Sequence, residues 1–366
     1  MLRQIKRVLN RYLSTLFSIF VLYNLRDEEY IESFAKMSVL TSFANYIPVV
    51  AFGMNSRLVL HSNAALKSGF FSLGVLTSIV SFPFVYLLSE DWLFSFLFVL
   101  FVCALLVSRH SYSLAPDLYI SRSLSLQVIL YPVFALLIGK ISMSVLAIII
   151  IFLPLVSGLR LKDFFLLELK FNVDSLGRVI ANEITWFVLA IVSIATMWSN
   201  QWVLMNYSMP DEVKTYDSYW KLWSLTFLAQ MILLHDLPSI SKEFKESSFR
   251  EFSEASNIWS KLFRLLLLQM LIIVLISKFY LEFLNVDFIP LLFVLVVIQG
   301  VLFGIIIPFN FYFQVRDTRV LLRAFLMGGI IAVALKLILP ISAISVSLST
   351  VAGTIVSLYV FYKKID

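Results

Sequence analysis

Charge is scarce in this chain. Asp, Glu, Lys and Arg make up 14% of its 366 residues, against about 25% in a typical soluble domain. Hydrophobic residues reach 60% and the mean hydropathy is +0.91. That balance excludes a soluble globular domain. It also removes nucleic acid as a reading of the formal net charge of +6, because basic residues in a polytopic membrane protein first report orientation. Cysteine is almost missing. Cys103 stands alone in an apolar run, so no disulfide forms within the chain and the thiol reads as packing. The three histidines, His61, His110 and His235, lie far apart. With no HExxH and no Cys/His cluster, no metal site is expected. There is no GxxxxGK[ST] phosphate loop, which argues against ATP hydrolysis by this chain.

What remains is a series of long apolar segments. The start, MLRQIKRVLNRYLSTLFSIFVLYNL, is basic and then apolar. It shows no small-x-small cleavage site before the acidic cluster at 27–29, and is expected to be an uncleaved first span. A spanning helix needs about 20 mostly apolar residues. Twelve segments qualify: 9–25, 32–55, 69–88, 92–108, 123–139 and 141–158, then 179–203, 217–238, 262–281, 287–313, 318–339 and 341–361. With a cytoplasmic N-terminus, most Lys and Arg fall in the inside loops, and Arg26, Lys140, Lys214 and Lys278 fall outside. This alternation is what the positive-inside rule requires. The expectation is an all-α, multi-pass inner-membrane protein with about twelve transmembrane helices and both termini cytoplasmic. The charged inside segments 159–178 and 239–261 are each expected to hold a short surface helix.

The midpoint suggests a duplication. ESFAKMSVLTSFAN (32–45) aligns without gaps on DSYWKLWSLTFLAQ (217–230), matching Lys36 to Lys221, Thr41 to Thr226, and Asn45 to Gln230. The same offset places Arg57 on Lys242. Chance similarity between two apolar helices is the competing explanation, but shared polar positions at one offset are harder to reach by chance than shared leucines. Six spans per repeat return the chain to its starting side. The lobes, 1–159 and 179–366 joined by a cytoplasmic linker at 160–178, are therefore expected to be related by a pseudo-twofold axis along the membrane normal. Some secondary transporters place their substrate path between such halves.

Several spans carry polar faces. Ser38, Thr41, Ser42, Asn45 and Ser56 fall on one side of span 2, and Thr226 and Gln230 on the corresponding side of span 8. In span 7, Asn182, Trp186, Ser193, Thr196 and Asn200 follow helical spacing, with Glu183 beside them. Such a stripe faces either a watery cavity or a partner helix, and the helix–helix bonds of the second case are worth only about 0.6 kcal/mol each. Lys36 and Lys221 either face the cavity or snorkel to the surface. Arg57 either binds an anionic head group or reports orientation. GVLFG (300–304) reads as close helix packing.

Two stretches carry a family resemblance. RDEEYIESFAKMSVLTSFANYIPVVAFGMNSRLVL and NQWVLMNYSMPDEVKTYDSYWKLWSLTFLAQMILLHDLPSISKEF resemble the corresponding regions of bacterial O-antigen and polysaccharide flippases. These belong to the multidrug/oligosaccharidyl-lipid/polysaccharide exporter superfamily. The shared pattern is an acidic pair, a tyrosine a few residues on, and a span ending in Gly or Pro with small residues. Here the Gly is followed by Met54. Family members often carry an acidic residue shortly after span 7, where this chain has Asn200 and Gln201. The resemblance implies alternating-access transfer of an undecaprenyl-pyrophosphate-linked oligosaccharide from the cytoplasmic to the periplasmic leaflet, with no catalytic residue and no cofactor. It also implies membrane lipids and the polymerase and chain-length proteins of the same pathway as partners. Candidate substrate contacts are Lys36, Asn45, Arg57, Glu183, Asn200, Lys221 and Gln230. Glu183 is the candidate for proton or sodium coupling. The alternatives are an O-antigen polymerase or membrane glycosyltransferase, disfavoured by the lack of a large outer loop, and a small-molecule exporter of the same superfamily.

Overall fold

The computed structural model describes residues 116–137, 173–177, 199–208, 210–233 and 247–365 continuously, and single positions elsewhere. All regular structure among these residues is helical, as the composition leads one to expect. The chain divides into two compact units, Met1–Ala190 and Ile191–Asp366.

In the first unit, α1 runs Pro116–Leu137 with Pro132 inside it. Its apolar part, Ser121–Leu137, coincides with the span expected at 123–139. Gln127 Nε2 donates to Ser123 Oγ one turn earlier (2.8 Å). Phe17 stacks on Tyr131 with ring centroids 4.2 Å apart.

The second unit contains α2 (Ser199–Tyr207), α3 (Pro210–Leu233), α4 (Phe249–Ser256), α5 (Ile258–Phe283), α6 (Pro290–Arg316), α7 (Thr318–Ile338) and α8 (Ala343–Tyr362). Helices α5 to α8 are long and apolar enough to cross a membrane. They lie within a few residues of the four segments expected there; the other expected spans reach into residues outside those described. One boundary differs. Span 8 was expected from 217, yet α3 begins at Pro210. Proline suits the first helical position because its missing N–H has no intrahelical partner there. Asp211 and Glu212 then occupy the first turn, where carboxylates meet the positive end of the helix dipole. The acidic stretch that resembles a loop is a helix start.

Helix α4 is the surface helix expected within 239–261. A capping box opens it: Glu251 N donates to Ser248 Oγ (3.3 Å), and Ser248 N donates to Glu251 Oε2 (2.9 Å). Asn257, left-handed at φ 47°, closes it. Phe249 and Phe252 are buried, while Arg250 and Glu254 form an exposed pair at 2.8 Å. Phe249 stacks on Phe309 of α6 (4.8 Å), which stacks on Phe361 of α8 (5.8 Å). The Arg316 guanidinium donates to the Ser247 carbonyl and to the Tyr312 hydroxyl. The helix is thereby fixed across the ends of α6 and α8.

Small residues set the closest helix contacts. A Cβ on Gly353 would lie 2.6 Å from the Gly328 carbonyl oxygen and 2.9 Å from Ala332 Cβ, so α7 and α8 meet backbone to backbone. Ser357 Oγ adds a bond across them to the Ala324 carbonyl (3.0 Å). The GVLFG segment does pack closely: the Trp223 indole of α3 fills the space where a Gly300 side chain would stand.

The helix ends also sort charge. Arg316, Arg319, Arg323, Lys363, Lys364, Lys261 and Arg264 lie at or near the ends of α5 to α8 that adjoin α4. The opposite ends, with the start of α3, are mixed: Asp211, Glu212, Glu282 and Asp287 stand with Lys214, Lys278 and Lys336.

Candidate functional site

Helices α2 and α3 follow one another across residues 208–209. Their polar residues pair at a constant separation of 16. Asn200 Nδ2 donates to Tyr216 Oη (2.8 Å), and Gln201 Nε2 donates to Asp217 Oδ1 (2.7 Å). One turn further along α3, Lys221 Nζ meets Asp217 Oδ2 at 2.6 Å, the i,i+4 spacing that places both on one helix face. Asn200, Gln201, Tyr216 and Asp217 are all buried. An isolated carboxylate could not be held in such a place, because an uncompensated buried charge costs several kcal/mol; here a cation and an amide face it.

Asn200 also reaches α8, donating to Thr350 Oγ1 (3.0 Å). Thr350 in turn donates to its own Val346 carbonyl (2.9 Å), with the Thr196 carbonyl at 3.3 Å as a second acceptor. Back-bonding of this kind runs along α8: Ser349 Oγ donates to the Ser345 carbonyl (2.7 Å) and Thr354 Oγ1 to the Thr350 carbonyl (2.8 Å). It satisfies hydroxyls in an apolar setting without requiring a partner helix.

Thr196 sits in a π-helical turn, a local irregularity that is common at functional positions. Its carbonyl accepts from Lys336 Nζ (2.8 Å), which also donates to Ser199 Oγ (3.1 Å). Lys336 occupies the last turn of α7, where a cation is favoured by the helix dipole, and it is buried. Buried polar residues thus connect α2, α3, α7 and α8 through side chains and one main-chain carbonyl. At the outer edge of the same unit, Glu212 Oε2 accepts from the Ala343 amide (2.6 Å), capping α8 from α3. Tyr219 Oη accepts from Ile289 N (2.6 Å) and donates to the Asp287 carbonyl (3.0 Å).

No protein-family profile matches the sequence, and no curated protein matches it. Solved structures do. An outward-facing multidrug resistance MATE family transporter of the MOP superfamily aligns with 100% of this chain and 95% of its own, at TM-score 0.59 and 14% identity. A MATE in complex with MaD3S gives the same coverage, TM-score and identity. The chain has the MATE transporter fold. A MATE in the straight conformation aligns at TM-score 0.51 and 12% identity, over 99% of this chain and 94% of its own. The MOP superfamily named for the outward-facing transporter also contains the flippases that the two sequence stretches resemble.

Within this MATE-type fold the sequence-derived candidates separate. Asn200 is fully buried and bonds α3 and α8, while Lys221 is held by Asp217 on its own helix. Gln230 lies on α3 near its end; its side chain, and all of Lys36, Asn45, Arg57 and Glu183, lie outside the described residues. Sequence reasoning did not single out Tyr216, Asp217, Lys336 or Thr350. Two signals were present. Asp217 and Lys221 stand four apart on a helical segment. Lys336 interrupts ALKLIL, and an ionisable residue inside an apolar run is a functional candidate by default.

Proposed function

We propose that this chain is a transporter that carries an undecaprenyl-pyrophosphate-linked oligosaccharide from the cytoplasmic to the periplasmic leaflet of a bacterial inner membrane by alternating access. No bond need break: the work is to shield a charged head group from the membrane core and release it on the other side. The fold likeness supports transport in general. The observation that favours this substrate class over an organic cation is that the buried carboxylate is already paired. Among the described residues the buried charged side chains are Lys214, Lys336 and Asp217, and Asp217 is already matched by Lys221 and Gln201. The buried carboxylate among the described residues is therefore compensated within the protein, whereas an organic cation needs an uncompensated one.

In this reading Arg57 meets the head group at the cytoplasmic end of span 2, with Lys36, Asn45 and Gln230 lining the path and Glu183 coupling it to protons or sodium. Asn200 ties α2 to α3 and α8, and Lys221 holds Asp217 in place for Gln201 of α2, rather than touching substrate. The repeats 1–159 and 179–366, joined by 160–178, supply the two halves. Polymerase and chain-length proteins of the pathway are the proposed partners. The test is the leaflet distribution of lipid-linked oligosaccharide in a strain lacking the protein. Accumulation on the cytoplasmic face, reversed by the wild-type gene but not by Arg57→Ala inserted at equal level, is the expected result. Normal appearance at the outer face without the protein would falsify the proposal. The likeness to a multidrug MATE transporter favours a second reading, a small-molecule exporter; unchanged lipid intermediates with increased drug sensitivity in the same strain would select it.

A further inference from the structure

Polar atoms without hydrogen-bond partners gather around Asn200. The side chains of Asn200, Gln299 and Ser347 are fully buried. Gln299, on α6, lies beside the Tyr216 hydroxyl, yet neither its Nε2 nor its Oε1 makes a hydrogen bond among the described residues. Asn200 Nδ2 donates to Tyr216 and Thr350, while its Oδ1 has no donor among the described residues. Turning the amide over moves the orphan from oxygen to nitrogen and does not remove it. Ser347 stands one turn before Thr350 on α8, a spacing that puts both on one helix face. Its neighbours Ser349 and Thr354 donate to the carbonyl four residues back, but the Ser347 hydroxyl makes no such bond. Tyr280, on α5, brings a buried and equally unpartnered hydroxyl into the field of Asp217. Gln299 lies about 14 Å along α6 from Pro290 at 1.5 Å per residue, near the middle of a 27-residue helix. Lipid offers no hydrogen bond at that depth.

We propose that ordered water is bound inside the second unit, bridging Gln299 to Tyr216, Asn200 and Ser347. Buried polar groups in folded proteins are almost always bonded. A buried water typically makes about three bonds to groups that the protein leaves unpaired. Two polar side chains that lie beside each other without bonding, as Gln299 and Tyr216 do, are where a bridging water belongs. The chemistry of the orphans selects a neutral ligand that both donates and accepts. Gln299 Nε2 and the hydroxyls offer protons; Gln299 Oε1 and Asn200 Oδ1 need them. A cation would be served by the oxygens alone and opposed by the amide protons. The nearby carboxylate of Asp217 is already paired with Lys221. Through this water α6 joins the network in which Asn200 links α2 to α3 and α8. The site does not depend on what is transported.

The test is X-ray hydroxyl-radical footprinting of the purified full-length protein, read by mass spectrometry. Radiolysis of a bound water makes the radical in place, so a buried side chain is oxidised where water touches it. Tyr216 is expected to be oxidised in proportion to dose. Phe361, equally buried but surrounded by Phe309, Phe313 and Phe325, is expected to stay unmodified. Tyr216 labelled no more than Phe361 overturns the proposal. Gln299→Met keeps the side-chain length and removes its polar atoms. It is expected to abolish the labelling of Tyr216 and to lower Tm by about 2–4 °C or more, the shift for one net hydrogen bond in a unit of this size. If Gln299 has no water partner, the same substitution relieves a desolvated amide, so an unchanged or raised Tm overturns the proposal, as does undiminished labelling. Exchanging sodium chloride for choline chloride is expected to leave the wild-type Tm unchanged. A Tm that falls in choline and is restored by sodium in the wild type, but not in Gln299→Met, assigns the site to a cation and the proposal fails.

Discussion

The ammonium of Lys336, at the end of α7, donates to the main-chain oxygen of Thr196, 140 residues earlier in the chain (2.8 Å). A buried cation is here satisfied by a backbone carbonyl at a π-helical turn, together with the Ser199 hydroxyl. The acceptors are oxygens, so the side chain's sign matters more than its presence. Lys336→Met is expected to change stability by less than about 1 kcal/mol, since it loses donors but also sheds the cost of a buried charge. Lys336→Glu sets a carboxylate against the same oxygens and is expected to lower stability by more than about 3 kcal/mol. Denaturant or thermal unfolding in detergent checks both. Equal losses in the two variants would show that packing, not charge, holds the position.

Asp217 is met by Lys221 at 2.6 Å and by Gln201 at 2.7 Å. Removing a partner from a buried pair costs about 3–5 kcal/mol, but the Lys221 side chain keeps 20% exposure, which lowers the expected cost of Lys221→Met to about 2 kcal/mol. The double variant Asp217→Asn/Lys221→Met is expected to recover at least half of that loss. A double-mutant cycle measures it, and additive losses would mean that the pair is not coupled.

The Trp223 ring occupies the space beside Gly300. Gly300→Ala is expected to cost about 1–3 kcal/mol, the usual range for overpacking, because an indole is rigid and cannot yield. Trp223→Leu in the same chain frees the volume and is expected to restore part of the loss. If Gly300→Ala is neutral by thermal unfolding, the two helices are less tightly engaged than described.

The capping box at Ser248 and Glu251 ties α4 to its start. Ser248→Ala is expected to cost about 1 kcal/mol and to raise hydrogen exchange at residues 249–256 without affecting α5. Exchange rising equally through both helices would contradict independent capping.

Much of the architecture is legible in the sequence. Apolar runs of about 20 residues located α5 to α8, because a membrane span must satisfy its own backbone and so declares its length. The start of α3 was not, because Asp211 and Glu212 stabilise a helix N-terminus with the same residue types that mark a loop. Of the site, the polar character of Asn200 and Lys221 was visible, but the direction of their bonds was not. Periodicity gives the face of a helix; it does not say whether water or another helix lies against that face. Lys336 and Thr196 were beyond reach as a pair, since nothing local links a lysine to a carbonyl 140 residues away.

The backbone contact of Gly328 with Gly353 constrains the history of the protein as well as its packing. Neither position accepts a side chain while the other helix stays in place, and Ser357 and Ala332 crowd the same spot. Substitutions at 328 and 353 are therefore confined to those that separate the two helices together. In a set of descendants these positions are expected to drift as a linked pair or not at all, whatever happens to the cargo.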